Sequence, residues 1–183
     1  MKVVVTGNIY ERGLSILRSF ADVVLVESSD PALKLAAVRD ADALIVRTDI
    51  VTAEFIEAGK QLKVIGRFGV GYDNVDVAAA TKRKIPVVIT PGVNAASVAE
   101  HTMGLLLGMT RRVRRWHEHL VEGRFPMRLV ERSDDLEGKT LGIVGLGSIG
   151  RKVAARARGF DLRVIAHDPV ADPKAAAELG VEL

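Results

Sequence analysis

One glycine-rich run and one acid beyond it have the types and spacing to do chemistry: Gly145-Leu146-Gly147-Ser148-Ile149-Gly150, and Asp168. Gly145 permits a sharp turn. Gly147 has no Cβ, so backbone there can approach a pyrophosphate. Gly150 lets the next helix pack tightly on the preceding strand. The N–H groups of Ser148 and Ile149 then sit at a helix N-terminus, where the dipole favours negative charge. Asp168 lies 18 residues past Gly150. That is close to the ~20 at which an acid accepts hydrogen bonds from an adenosine ribose. A 2′-phosphate would meet like charge there, and Pro169 follows rather than an arginine, so NAD is favoured over NADP. The plainer reading is an ordinary strand–turn–helix with a chance acid. Context weighs against it, because a strand precedes the glycines, a helix follows, and the acid closes the next strand.

Other chemical residues point to less. Arg111, Arg112, Arg114 and Arg115 cluster on a helix. A nucleic-acid surface would want a wider basic stripe and stacking aromatics, and aromatics are only 4% of this chain. A solvated or dimer-facing helix surface is the better reading, and no nucleic-acid partner is expected. His117 and His119 are two apart, so on a helix they face different ways and make a poor metal pair. No metal is assigned. Trp116 reads as a core or interface anchor. Asp73, Asn74 and Asp76 read as caps of a helix starting near Val75.

The elements that must position these residues are parallel-sheet elements. Val3–Thr6, Val23–Val26, Ala43–Val46, 63–66 and 86–90 are near-continuous apolar runs, as parallel strands buried on both faces require. Helical stretches alternate with them at 11–20, 31–40, 53–58 and 75–84. Asp30 and Thr52 are candidate N-caps, Pro31 a first-turn proline and Gly59 a C-terminal stop. Residues 96–120 read as one long helix, with Gly104 and Gly108 allowing close helix packing. Residues 122–138 read as a surface connection. A second unit then starts with strand 140–144, the glycine turn, helix 151–159, strand 162–166 and a helix from Ala175. It contributes two strands, and Gly180 onward resembles the approach to a third. The fold class is α/β, an open parallel sheet followed by a second α/β unit.

The chain has 183 residues, no cysteine and a formal charge of +3. That length suits one domain plus part of another. Lack of cysteine excludes a disulfide scaffold, a thiolate nucleophile and a Cys-ligated zinc site. Met1-Lys2 leads straight into the first strand, and the longest apolar stretch, 103–109, is far short of the ~18 residues that span a bilayer. A cytoplasmic protein with no membrane partner is expected.

Three linked blocks resemble the D-isomer-specific 2-hydroxyacid dehydrogenases, most closely their D-3-phosphoglycerate dehydrogenase branch. They are Arg67-Phe68-Gly69-Val70-Gly71-Tyr72-Asp73-Asn74-Val75-Asp76, then Ile89-Thr90-Pro91-Gly92-Val93-Asn94 leading into Ser97-Val98-Ala99-Glu100-His101, then Gly142-Ile143-Val144 with the glycine run. Val46-Arg47-Thr48 is similar to the family's first substrate loop. The resemblance implies a flavodoxin-like substrate domain over 1–96. Residues 97–183 would be an interdomain helix and the first part of a Rossmann NAD-binding domain. Substrate and nicotinamide would meet in a cleft.

The resemblance also implies that the Val70 and Gly71 amides bind a substrate carboxylate, which glycines at 69 and 71 make sensible as an anion nest. The alternative is a loop shaped only for its turn. Asn94 would lie near the substrate. Arg47 would hold a substrate phosphate or carboxylate with its planar fork, or is simply a solvated strand end. The implied reaction is hydride transfer at C2 of a D-2-hydroxy acid, with 3-phosphoglycerate the leading substrate. The family's catalytic arginine, glutamate and histidine have no match here, so no catalytic residue is assigned and the chain alone is expected to be inactive. A piece of a longer enzyme and a naturally short relative both fit. A non-catalytic NAD-binding or interaction module is the alternative function. Strand 140–144 would have one unpaired edge, so a homodimer or higher homo-oligomer is expected.

Overall fold

The structure is a computed structural model that describes all 183 residues. The chain divides into two compact units, Met1–Val93 and Asn94–Leu183.

In the first unit strands and helices alternate: β1 (Lys2–Thr6), α1 (Glu11–Arg18), β2 (Asp22–Val26), α2 (Pro31–Val38), β3 (Ala43–Val46), α3 (Ala53–Ala58), β4 (Val64–Arg67), α4 (Val77–Lys82) and β5 (Val87–Val88). All pairings are parallel, in the order β2-β1-β3-β4-β5. Val4, Leu44 and Ile65, on adjacent strands, are fully buried. Each such side chain contributes about 1.5–3 kcal/mol of burial. Local signals set the helix starts: Asp30 accepts from Ala32 N at 2.8 Å, and Thr52 Oγ1 from Phe55 N at 3.2 Å. Gly59 ends α3. Of the three polar residues expected to cap α4, Asp76 does so, accepting from Ala79 N at 2.9 Å. Asn74 does not; its side chain reaches across to the β3 loop instead. Strand β5 is two residues rather than the expected five, because it lies at the sheet edge, where Val88 is solvent-exposed and Thr90 N turns to Gly69 O.

The second unit contains α5 (Ala95–Thr110), α6 (Val113–Val121), a 3-10 turn (Phe125–Leu129), β6 (Thr140–Val144), α7 (Ser148–Arg158), β7 (Arg163–His167), α8 (Pro173–Glu178) and β8 (Val181–Glu182). The single long helix expected over 96–120 is two helices. Arg112 takes a left-handed conformation, with φ +50°. The carbonyls of Thr110 and Arg111, which would continue the helix, instead accept from Asp134 N (3.0 Å) and Ser133 Oγ (3.0 Å). The 122–138 segment is therefore a partner of the break, and its Leu136 is buried. Gly104 and Gly108 do not mediate close packing within the chain: a Cβ at either would meet open space.

Helix α7 begins at Ser148, inside the glycine run, three residues before the expected start. Asp172 caps α8 through Lys174 N at 2.9 Å, so that helix begins at Pro173 and not Ala175. The sheet has three parallel strands, β6-β7-β8, rather than two. One edge of β6 has no strand partner in the chain, and Val144 at its end is 92% exposed. Burial alternates along β6 and β7, so one face of this sheet is covered and the other is open. No helix is long and apolar enough to cross a membrane.

Candidate functional site

The glycine run forms a cradle in which two glycines are required by the fold and the third leaves open space. Gly145 has φ +90°, a conformation that side chains disfavour, and its N–H donates to His167 O at 2.8 Å. Gly150 is buried, and a Cβ there would stand 2.2 Å from Gly145 O. No side chain fits. Gly147 is the N-cap of α7, and the space its Cβ would occupy is empty. Having no side chain, it cannot cap the helix. The first-turn amides of Ser148 and Ile149 are therefore left as exposed donors, as helix N-termini require unless something else takes them.

Asp168 follows β7 and closes this cradle. Its Oδ2 accepts from Leu146 N at 2.7 Å, and its Oδ1 from Val170 N at 3.0 Å. Those two backbone donors, Val170 first, hold its carboxyl below the usual carboxylate range. Each oxygen keeps a further lone pair for a hydroxyl donor. A cavity of about 260 Å³ opens beside it, lined by Leu146, Gly147, Asp168 and Arg151 among others. Sequence reasoning passed over Arg151. Its one signal was its place in the first turn after the glycines.

In the first unit, the loop after β4 carries the other candidates. Phe68 N donates to Val46 O at 2.8 Å, which seats this loop beside the end of β3. The Val70 and Gly71 amides make no hydrogen bond within the chain. The Arg67 guanidinium lies over Gly69, where any Cβ would collide with it; Gly69 has φ +152°. Arg67 also donates to Asn74 Oδ1 (3.3 Å) and Phe68 O (3.1 Å). Asn74 Nδ2 donates to Asp49 O at 2.7 Å. Arg67 and Asn74 thus tie the two loops after β3 and β4 together. Asn74 reads as a helix cap in sequence because its true partner is 25 residues away. Arg47 sits on the same rim, exposed, donating to Asn8 O at 3.1 Å with its guanidinium 5.9 Å from the Phe68 ring centre. Arg47 thus meets Phe68, two residues before Val70 in the same loop. Asn94 belongs to the second unit, as the N-cap position of α5, with no side-chain cap bond.

The arginine cluster is internally paired. Arg111 bonds Asp135, Arg114 bonds Glu118 at 2.9 Å, and Arg115 bonds Glu131 at 2.8 Å. His119 is buried, its Nε2 3.0 Å from Glu131 Oε1, while its Nδ1 has no partner. Trp116 Nε1 donates to Ser133 Oγ at 2.7 Å. Arg115 first, and then His119, push the Glu131 carboxyl down to about 2. No group of three or more His, Asp or Glu side chains is placed to hold a metal ion.

Comparison with known proteins matches this arrangement to one family. Residues 3–179 match the family described as "D-isomer specific 2-hydroxyacid dehydrogenase, catalytic domain". A D-3-phosphoglycerate dehydrogenase of Methanocaldococcus jannaschii is 40% identical over 100% of this chain and 35% of its own length. A glyoxylate reductase of Korarchaeum cryptofilum is 40% identical over 99% of this chain and 57% of its own. The crystal structure of the TT0316 protein from Thermus thermophilus superposes with a TM-score of 0.85 at 37% identity, covering 94% of this chain and 58% of that one. The chain thus spans between about a third and somewhat over half of these relatives' lengths.

Proposed function

This chain belongs to the D-isomer specific 2-hydroxyacid dehydrogenase family, and from that premise we propose that it carries the NAD-binding cradle and the substrate-carboxylate loop of such an enzyme. The observation that carries the proposal is the cradle: Gly145 and Gly150 required by their places, open space at Gly147, two exposed first-turn amides, and an acid locked beside them.

The fit to NAD is chemical. Ser148 and Ile149 N–H groups would take the pyrophosphate, with Gly147 giving it room to approach. Asp168 would take the ribose hydroxyls. Two backbone bonds prevent its carboxylate from turning away, so a 2′-phosphate would be repelled and NAD preferred to NADP. When bound, the nicotinamide supplies or accepts the hydride. The chain's own residues bind and orient. Val70 and Gly71 amides would hold the substrate carboxylate, Arg47 its distal phosphate or carboxylate, and Asn94 would lie near it. The reaction is hydride transfer at C2 of a D-2-hydroxy acid. 3-Phosphoglycerate is the leading substrate, with glyoxylate reduction as the rival that the similarity to glyoxylate reductases supports. No residue is assigned as catalytic, and the chain by itself is expected to bind without turnover. A homodimer or higher homo-oligomer completes the proposal.

The test is to add NADH to the labelled chain and follow backbone amide signals. Ser148, Ile149 and Leu146 should shift together, while oxalate should shift Val70 and Gly71. Absorbance at the NADH band, with NAD and 3-phosphoglycerate present, should stay flat. If NADH leaves the glycine-run amides unmoved, the proposal fails.

A further inference from the structure

The first unit holds a second cavity that the dehydrogenase reading does not use. The strand order β2-β1-β3-β4-β5 reverses direction between β1 and β3. In open parallel sheets a crevice forms at the carboxyl ends of the strands at such a reversal, and ligands bind there. Here a cavity of about 500 Å³ lies at that point, between the end of β1, the loop after β3, and the starts of α2 and α3. Its size is in the range of small-molecule sites. None of Arg47, Val70 or Gly71 lines it.

Its polar groups are not all satisfied within the chain. Thr6 is 1% exposed, and its hydroxyl has no hydrogen-bond partner. Asp49 Oδ1 accepts from Lys34 Nζ at 2.6 Å, but Asp49 Oδ2, also buried, has no partner. Buried polar atoms without partners are costly, and in native proteins they point to a missing ligand or water. Lys34 Nζ has three donors, of which Asp49 takes one. Thr6, Asp49 and Lys34, which carry an unspent hydroxyl, an unspent acceptor and unspent ammonium donors, therefore all border one cavity. The rest of the lining includes the apolar side chains of Leu35, Val51 and Phe55.

Charge selects the ligand. The charged lining residues are Lys34, Asp49 and Glu54, formally one positive and two negative. A phosphorylated or dicarboxylate anion would meet net repulsion, so this is not a second site for an anionic hydroxy acid. A head group with both signs of charge side by side matches the Lys34–Asp49 pair. We propose that this cavity binds a small zwitterionic amino acid with an apolar side chain. Its ammonium donates to Asp49 Oδ2 and Thr6 Oγ1, its carboxylate accepts from Lys34 Nζ, and its side chain lies against Leu35, Val51 and Phe55.

The experiment is a calorimetric titration of the whole chain with leucine, without cofactor. Two controls each lack one charge: 4-methylpentanoate and 3-methylbutylamine. A third is 3-phosphoglycerate. Leucine should saturate a single site, at least ten-fold more tightly than any control, and should shift the amides of Lys34 and Asp49. Lys34→Met and, separately, Thr6→Val should each weaken leucine at least five-fold, with the far-ultraviolet spectrum of folded protein retained. The Thr6 change is close to isosteric and keeps the test open if the Lys34 variant does not fold. Absence of saturable leucine binding overturns the proposal. So does a single-charge control or 3-phosphoglycerate binding as tightly, or leucine binding that neither variant weakens.

Discussion

Replacing Gly150 with alanine should damage both the fold of the second unit and its affinity for NADH. The added Cβ would lie 2.2 Å from Gly145 O, whereas an ordinary Cβ contact lies at 3.4 Å or beyond. Both partners are backbone, so no side chain can rotate away. The start of α7 and the turn at Gly145 must therefore separate by about 1 Å. Overpacking of this kind costs about 1–3 kcal/mol. For a unit of this size 1 kcal/mol lowers the melting midpoint by about 4–8 °C, so a fall of about 4–24 °C is expected by circular dichroism. The same displacement moves the Ser148 and Ile149 amides, and NADH should bind at least ~10-fold more weakly. Gly147→Ala is the control. Its Cβ would meet nothing within 4 Å, and its φ of −73° suits any residue. It should melt like the parent yet bind NADH poorly, because the methyl group occupies the space a phosphate would use. A Gly150→Ala variant with unchanged midpoint and unchanged NADH affinity would refute the reasoning.

Three further outcomes are expected. Asp168→Asn should weaken NADH about ten-fold, the loss of one charge-assisted hydrogen bond, while narrowing any preference over NADPH; an unaltered NADH/NADPH ratio in fluorescence titration would contradict it. Glu131 titrates at about 2 because Arg115 and His119 stabilise its charged form; its contribution to stability is thus whole above the ordinary 4.5 and disappears as pH falls from there towards 2. The stability gap between the parent and Glu131→Gln, measured by urea denaturation, should be largest near pH 6, shrink as pH falls below 4.5 and close only at about pH 2; a gap independent of pH would count against the pairing. The proposed homodimer or higher homo-oligomer should show in light scattering at micromolar concentration as more than the monomer mass; a monomeric mass would remove that expectation.

Features fixed by neighbours in sequence were the legible ones. Asp30, Thr52 and Asp76 cap the helices that follow them, since a cap needs only a side chain two or three residues from a free N–H. The glycine run and Asp168 were legible because Gly145 and Gly150 answer local steric demands and the acid follows at a short, regular spacing. Features fixed by distant partners were not. The break between α5 and α6 depends on Ser133 and Asp134, more than 20 residues away, capturing the carbonyls of Arg111 and Thr110. The helical spacing of Leu105, Met109, Val113 and Trp116 gave no hint of it. Asn74 holds the loop after β3, Arg67 lies over Gly69, and Lys34 meets Asp49, each across a separation or a geometry that spacing does not encode. Strand β8 was visible only as an approach, since two residues carry no period.

The central claim is that the glycine cradle and Asp168 hold NAD. The most direct measurement is calorimetric titration of the purified 183-residue chain with NADH and, in parallel, NADPH. One saturable site for NADH, with NADPH at least ~10-fold weaker, is the predicted result. Equal affinity for both would mean that Asp168 does not sit at the ribose hydroxyls, and no binding of either would contradict the assignment of the cradle in this chain.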